Sequence, residues 1–578
     1  MTATSLHDGT SARLQARRAH RPRLTITTLG RLCAAALILA VIAILARLLG
    51  QVERSDLTAI IEDDYLHRII RFTLLQAALS TVISVSLAIP VARALARQGS
   101  FRGRALLLRL FSLPLVMPAL VAIFGVVDIY GQQGLIARLI ASFAAATGRP
   151  LAWPSIYGMA GILIAHVFFN LPLATRLLLP AWAQVPAETW RLAAQLGMTS
   201  GQVFRLIELP LLRRAVPQIA ATIFMLCFVS FAIILTFGGG PRASTLEVAI
   251  FQAIRFDADL ARAGLLAVIE LTLCLGIGVL CRGLATRMDL GAGLGRPAWR
   301  HDGATRLARS CDGAWIALAG LFVLAPEAAL LIDGLEGLGH DLPWVALTQA
   351  ALLGLGLSLT AGSLATLTGF ALAAAARPMA AHHDWRQSAA RRVLNRVVAA
   401  SQHLAGLLPL ALSPMVLGMG LYLLISDLTN SELFADNDFV GTVAPLIGIV
   451  LLNAAMAIPY TLTLLMPALE RARGQHDRLC RELGIAGWRR FSLIDWPLLR
   501  PSIATALALA TSLGLGDLVG ISLFGNPDLK TLGILLYEQI GAYRLTEAAT
   551  TALLLLLLVL GVYTLIERLI GGKAARHG

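Results

Sequence analysis

Charge is scarce in this 578-residue chain. Only 14% of its residues are Asp, Glu, Lys or Arg, while 57% are hydrophobic and the mean hydropathy is +0.74. A water-soluble protein of this size cannot cover its surface with so few polar groups, so the chain reads as an integral membrane protein. No polar stretch is long enough for a sizeable soluble catalytic domain. The six cysteines (Cys33, Cys227, Cys274, Cys281, Cys311 and Cys480) form no Cys-x-x-Cys pair, which argues against disulfides and structural zinc. Also missing are a Gly-x4-Gly-Lys-Ser/Thr phosphate loop, a His-Glu-x-x-His metal site and a Gly-x-Ser-x-Gly elbow. Lys530-Thr531 comes nearest to the phosphate loop, but Leu529 stands where its second glycine must be. The chain is therefore expected not to be an enzyme, to bind no metal and no cofactor, and to hydrolyse no ATP.

Lysine is almost missing as well: Lys530 and Lys573 stand against a background of arginine, and the net charge is +14. A basic excess can signal nucleic acid, but that reading needs a compact basic domain, and none exists here. The arginines fall instead between hydrophobic runs, in alternate loops. Segments 93–109, 282–309, 377–396 and 471–500 are basic, whereas the opposite loops carry Glu53, Asp56, Glu62, Asp63 and Asp64, then Asp333, Glu336 and Asp341, then Asp427, Glu432, Asp436 and Asp438. By the positive-inside rule both termini are expected in the cytoplasm. Five arginines precede the first apolar run, at about 30 to 49. That run is long enough to span and lacks a clear small-residue cleavage site, so it is expected to stay as a helix.

What is abundant is long apolar segments. Allowing about 20 residues per span, they occur near 30–49, 69–93, 106–131, 156–178, 214–236 and 263–281, then near 314–333, 347–376, 400–425, 443–466, 501–523 and 548–570. The third, ninth and eleventh contain Pro or Gly that can break or kink a helix. The fold expected is all-α, with about 12 transmembrane helices in two six-helix halves. The domains expected are a basic segment 1–28, a half at 29–281, a linker at 282–313, a second half at 314–570 and a tail at 571–578.

The halves are copies. Residues 191–213 (RLAAQLGMTSGQVFRLIELPLLR) and 478–500 (RLCRELGIAGWRRFSLIDWPLLR) agree at 11 of 23 positions without a gap, at an offset of 484 − 197 = 287. Composition alone gives roughly two or three agreements. Pro172 and Pro180 face Pro459 and Pro467 at the same offset. An even number of spans in each half makes the repeat parallel. Both copies fall between the fourth and fifth spans of their half, on the basic side, where each is expected to form one or two short amphipathic helices. In the first, Leu192, Leu196 and Phe204 are expected against the bundle, with Arg191, Gln195 and Gln202 in water. Gly197 and Gly484 end the first helix, and Pro210 and Pro497 sit where the next begins. Mere connection does not require the same side chains at Phe204 and Phe491, at Ile207 and Ile494, or at Arg213 and Arg500, so the loops are expected to dock a partner.

The spacing Gly197 to Ile207 to Pro210, repeated at Gly484, Ile494 and Pro497, resembles the EAA loop of binding-protein-dependent ABC importer permeases. The family's leading Glu position holds Arg191 and Arg478 here, and its Leu before Pro is Leu209 in one copy and Trp496 in the other. The stretches FGGGPRASTLEVAIFQAIRFD (237–257) and GDLVGISLFGNPDLKTLGILLYEQIGAYR (516–544) are similar to the fused two-half permease of the thiamine and thiamine diphosphate importer family. The resemblance implies the type I ABC importer permease fold, two copies of an ABC ATPase subunit docked one per EAA loop, ATP and Mg held by that ATPase, and a periplasmic thiamine-binding protein delivering the ligand. Fused relatives for ferric iron, and permeases for phosphonate or polyamine, share the fold and the loops.

Ionisable groups within spans cost about 2.5 to 3.5 kcal/mol at mid-helix on insertion scales, so they merit a functional reading. Asp517, Glu270, Asp128 and His166 qualify. Thiamine carries a permanent positive charge, which a carboxylate facing the pathway can offset. Asp517 is preferred, because it lies in the fifth span of the second half and its repeat-mate is the uncharged Ser230; a helix cap at Gly514-Leu515-Gly516 explains it equally well. Glu270 has Arg262 as an alternative partner, and His166 and Asn453, which match at the repeat offset, are also suited to interhelical hydrogen bonding. A different class, an ion-coupled 12-helix secondary transporter, also has two parallel halves but needs a coupling acid or base deep in the pathway and no paired docking loops.

Overall fold

The computed structural model of the protein describes residues 26–51, 63–149, 151–238, 240, 243–284, 300–376, 401–402, 404–431, 438–485, 487–525 and 529–571. Most of the expected basic segment 1–28, the Arg-rich loop 377–396, the linker at 285–299 and the tail beyond 571 lie outside the described residues, as do Glu53, Asp56, Glu62, Glu432 and Asp436.

Every regular element among the described residues is helical. The first half runs α1 (Ile26–Leu49), α2 (Asp64–Arg97), α3 (Arg104–Leu110), α4 (Leu113–Val116), α5 (Ala119–Tyr130), α6 (Leu135–Thr147), α7 (Met159–Ala183), α8 (Ala187–Gln195) and α9 (Ser200–Val203). A π turn at Phe204–Glu208 then leads into α10 (Leu209–Phe228), α11 (Ala232–Phe237), α12 (Leu246–Arg255) and α13 (Leu260–Leu284). The second half runs α14 (Arg306–Gly337), α15 (Trp344–Ala375), α16 (Pro414–Thr429), α17 (Asp438–Glu482) and α18 (Gly487–Arg490). A second π turn at Phe491–Asp495 leads into α19 (Trp496–Leu515), α20 (Val519–Phe524), α21 (Leu532–Gly541) and α22 (Leu545–Gly571). Eleven helical segments are long and apolar enough to cross a membrane, and α16 is a shorter apolar helix. The all-α membrane fold in two six-span halves follows, with α16 in the ninth place.

Prolines explain where the spans depart from simple rods. The third expected span, 106–131, is three pieces: Pro114 stands in the first turn of α4, and Pro118 forces the residue before it, Met117, into extended conformation, which ends α4. The ninth repeats this: a 3₁₀ turn at Leu408–Ala411 ends at Leu412, and α16 starts at Pro414 with the Ser413 hydroxyl accepting from the Val416 N–H at 3.1 Å. The fifth and eleventh spans break at matching places, 229–231 and 516–518, and α10, α11, α19 and α20 keep the 287-residue offset at both ends. The expected repeat loop was a fragment of this duplication. After the breaks the offset drops by one to two residues, and the two non-glycine residues with positive φ among the described residues, Ala258 (51°) and Tyr543 (56°), occupy corresponding turns.

The first helix of each half packs on the other half. Helix α1 lies against α15 and α16, while α14 lies against α2 and α5 as well as α22. Gly125 on α5 makes the second contact possible, since a Cβ there would sit 2.5 Å from the Pro326 carbonyl oxygen of α14. Arg47 of α1 pairs with Asp427 of α16 at 2.5 Å, across the halves and at the end away from the repeated loops. Within each half, α2 packs on α7 and α15 on α17 through small or hydroxylated residues: the Ser80 hydroxyl meets His166 Nδ1 at 2.9 Å, and the Thr461 hydroxyl donates to the Ala365 carbonyl at 3.1 Å. Lipid tails compete equally for apolar contacts, so such close packing and interhelical hydrogen bonds hold the bundle together.

Candidate functional site

The repeated loops share one backbone construction. In the first, α8 ends in a paired turn: the Gly197 N–H donates to the Ala194 carbonyl and the Met198 N–H to the Ala193 carbonyl, with Gly197 at φ +62°. In the second, the Ile485 N–H donates to the Cys480 carbonyl and Gly484 has φ +63°. A Cβ at either glycine would meet nothing within 4 Å, so backbone conformation rather than space selects glycine. Pro210 and Pro497 cannot donate to the carbonyl four residues back, and directly before each the helix loosens into a π turn. The Leu209 and Trp496 N–H groups reach the Phe204 and Phe491 carbonyls there. Ile207 and Ile494 are half-buried beneath these turns, and Arg191 is exposed. The side chain of Arg478 lies outside the described residues.

Two details differ from the sequence expectation. The loops are not equal pairs of short helices: Pro186 separates α7 from α8, whereas its repeat-mate is Arg473 and α17 runs unbroken through the span into the loop. Moreover, Leu192 and Leu196 do not face the bundle. Trp190 and Ala193 are buried instead, and the leucines point outward. Leu192, Leu196 and Leu206 are 54%, 68% and 68% exposed, and their repeat-mates Leu479, Leu483 and Leu493 are 48%, 62% and 66% exposed. Three exposed leucines recur at the same positions of both copies.

Behind the first loop lies a buried ion cluster that spacing could not disclose. Glu208, in the π turn, is wholly buried and accepts from Arg93 Nε at 2.6 Å, Arg300 Nη2 at 2.7 Å and Trp182 Nε1 at 2.9 Å. Asp302 accepts from Arg300 at 2.8 and 3.0 Å and pairs with Arg97 at 3.3 Å, and Arg97 reaches Asp312 at 3.2 Å. Burial pushes the Asp302 carboxyl up, but the hydrogen bond and charge of Arg300, with the charges of Arg97 and Arg93, outweigh it and hold Asp302 below its ordinary value. Three arginines thus neutralise three carboxylates. Arg300 and Asp302 belong to the segment expected as a polar linker at 282–313, whose end is therefore docked structure, and α14 already begins at Arg306.

The pathway candidates spread over three places. Asp517 lies in the break between α19 and α20, where its carboxylate accepts from the Val519 N–H at 3.0 Å and the Gly520 N–H at 2.8 Å, with the Asn453 side chain beside it. It caps α20. Ser230, half-buried, occupies the matching break in the first half. His166 is buried against Ser80, next to Asn170 and Cys227. Glu270 is wholly buried but does not meet Arg262, which stacks on Tyr65; it lies against Glu247 of α12 and Ser413 at the start of α16. Asp128 similarly faces Asp333. The sequence reading missed Glu247 because it sits outside the expected spans. No group of three or more His, Cys, Asp or Glu suited to a metal occurs among the described residues.

Comparison with known proteins fits this geometry. Residues 379–571 match the family of the binding-protein-dependent transport system inner membrane component. That stretch covers only the second half, and the repeat extends the likeness to the first. Over 523 residues the chain is 41% identical to the thiamine transport system permease protein ThiP of Escherichia coli, covering 90% of this chain and 92% of the relative. It is 42% identical to ThiP of Brucella abortus over 511 residues, 88% of each chain, and 37% identical to ThiP of Haemophilus influenzae over 503 residues, 86% and 87% of the two. Likeness at this level along nearly the whole length, on a duplicated six-span bundle with paired loops, means that the chain belongs to the thiamine transport system permease family of binding-protein-dependent inner membrane components.

Proposed function

We propose that this chain forms the transmembrane pathway of an ATP-driven importer for thiamine, thiamine diphosphate or both. The observation that carries the reading is the recurrence of three exposed leucines on two loops at one end of the bundle, in a chain whose relatives are named as thiamine transport permeases. A contiguous apolar surface on a polar loop costs solubility unless a partner covers it. The partner that fits a twofold repeat is a pair of identical ABC ATPase subunits, one on each loop, carrying the ATP and Mg that this chain has no phosphate loop to hold. Arg191, Gly197, Ile207 and Pro210, with Arg478, Gly484, Ile494 and Pro497, frame the two sockets. Both termini then lie in the cytoplasm of the bacterial inner membrane, and a periplasmic thiamine-binding protein delivers ligand to the opposite face.

The cycle follows from the packing. Closure of the ATPase pair draws the loops together, and because α1 and α14 are exchanged between the halves, the halves move as rigid bodies between inward-open and outward-open arrangements. The broken spans meet the middle of the bundle at Ser230 and Asp517. A carboxylate there offsets the hydration that a thiazolium cation loses on entry, with Asn453 as its neighbour and His166 and Glu270 as further candidates lining the route. The test is uptake of labelled thiamine into vesicles holding the permease, its ATPase and its binding protein. Uptake that needs ATP and all three components supports the proposal. Uptake driven by an ion gradient without the ATPase would place the chain among secondary transporters and refute it.

A further inference from the structure

Helix α6 stands apart from the span it follows. It has 13 residues, about 20 Å of helix, too short for a hydrocarbon core of ~30 Å. Nor does it prolong α5. Gly131 is extended, the Gly134 N–H donates back to the Gly131 carbonyl at 3.0 Å, and a Cβ at Gly134 would sit 2.5 Å from the Asp128 carbonyl oxygen and 2.9 Å from that of Ile129. The chain therefore turns sharply over the end of α5, a close approach that only glycine permits. Arg138 comes back within electrostatic reach of Asp128, and beyond α6 the Trp153 indole donates to the Tyr130 carbonyl at 2.7 Å. The excursion thus begins and ends at the level where α5 stops. From there α7 runs 25 residues to the first repeated loop, so α6 lies at the end of the bundle opposite that loop.

The surface of this helix is divided in three. Ala137 is buried and Ile140 half-buried where the helix packs on α5. Leu135, Leu139 and Phe143, spaced i, i+4 and i+8, fall within about 80° of one another and are 44%, 60% and 58% exposed. Arg138 and Ala141 are exposed on the remaining side. We infer that α6 lies along the membrane surface opposite the repeated loops, with Leu135, Leu139 and Phe143 sunk among phospholipid acyl chains at the headgroup boundary, and anchors that end of α5. Lipid is the occupant because the stripe starts where a membrane span ends and continues the apolar surface of that span, and because an apolar stripe beside a polar one is what an interfacial helix presents. The other end of α5 begins after Pro118, and a Cβ at Gly516 would sit 3.0 Å from the Pro118 side chain. An anchor on α5 therefore steadies one wall of the break that holds Asp517. The inference needs the membrane fold alone and stands whether or not the repeated loops dock an ATPase.

The test uses the full permease in phospholipid vesicles. A photo-crosslinking residue, benzoylphenylalanine, replaces Leu139, Ala141 or Leu352 in turn, and phospholipid adducts are measured by mass after illumination. Ala141 is exposed about 160° around the helix from Leu139, and Leu352, 70% exposed on the span α15, gives the yield of a lipid-facing site. The Leu139 site is expected to approach the Leu352 yield and to exceed the Ala141 site about tenfold, as for one side chain held among acyl chains and another held in water. If the Leu139 variant fails to insert, the same replacement at Phe143, the next position of the stripe, carries the same expectation. Equal adduct yields at Leu139 and Ala141 would make α6 an immersed part of a span and overturn the inference. So would an absence of adducts at Leu139 where Leu352 gives them, or crosslinks from Leu139 to another protein or to another part of this chain, since protein would then cover the stripe.

Discussion

Truncating the exposed leucines separates docking from folding. Leu196 and Leu483 keep 68% and 62% of their surface in water. Complete burial of a leucine side chain contributes about 1.5 to 3 kcal/mol, so about two thirds of that, ~1 to 2 kcal/mol, is left for a partner to gain. An alanine retains part of this contact, and Leu196→Ala is expected to weaken ATPase binding by about 1 kcal/mol, roughly fivefold in Kd. Replacing Leu192, Leu196 and Leu206 together is expected to cost about 3 kcal/mol, on the order of a hundredfold, if the three act independently. Because none of the three packs in the bundle, unfolding stability is expected to stay within about 0.5 kcal/mol of wild type. The assay is a titration of labelled ATPase onto permease in lipid nanodiscs, beside thermal unfolding of the same samples. A triple variant that binds within twofold of wild type refutes the docking reading. One that binds poorly but also unfolds early shows that the leucines serve the fold instead.

Asp517→Asn is expected to lower thiamine uptake several-fold while leaving ATPase binding intact, because asparagine can still cap α20 but carries no charge for the cation; normal uptake in vesicles removes the charge-compensation role and leaves the permease reading standing. Gly484→Ala is expected to cost about 1 kcal/mol, the penalty for a side chain at positive φ, and to loosen the second loop without changing membrane insertion, measurable as faster proteolysis at that loop. Asp302 has its folded pKa below the ordinary 3.8, so its stabilising contribution is fully present above that value and is lost only as pH falls through the lower, folded one. Thermal unfolding of the permease is therefore expected to show no loss of stability from this carboxylate between pH 8 and about 5. A fall near neutral pH would show that some group other than this carboxylate governs the attachment.

The features legible in the sequence are those written in short-range pattern. Length of apolar runs gave eleven of the spans, and the 287-residue repeat identified both loops down to the glycines with positive φ, because a helix stop and a proline restart are local requirements. Where Pro or Gly interrupts a run, the expected breaks in the third, ninth and eleventh spans are present, but the matching break in the fifth, at 229–231, was not foreseen. The direction faced by Leu192 and Leu196 was misread because helical periodicity identifies an apolar stripe without saying what covers it. Trp190 and Ala193, two residues before and one residue after Leu192, take the inner face, and Arg300, 110 positions downstream, stacks on Trp190. The ion cluster was invisible for the same reason. Its members come from four separated segments, and a charge in a basic linker looks solvated until the fold brings it to a carboxylate.

Fusion of the halves gives a physical setting for the ion cluster at the first loop. Two separate, identical subunits are forced by symmetry to present identical sockets. A fused chain has one linker, and a linker that leaves α13 and enters α14 can dock on only one of the two loops, here the first. Arg300 supplies one of the cations that let Glu208 be buried completely, while Asp495, its repeat-mate, is half-buried and pairs with Arg490. The exchanged helices α1 and α14, with the Arg47–Asp427 pair at the end away from the loops, link the two halves around the broken spans. Motion introduced at either loop must therefore pass through both halves. Asp517 in one half and Ser230 in the other, at matching breaks, show the same freedom: once a duplication is fused, its two halves can diverge position by position.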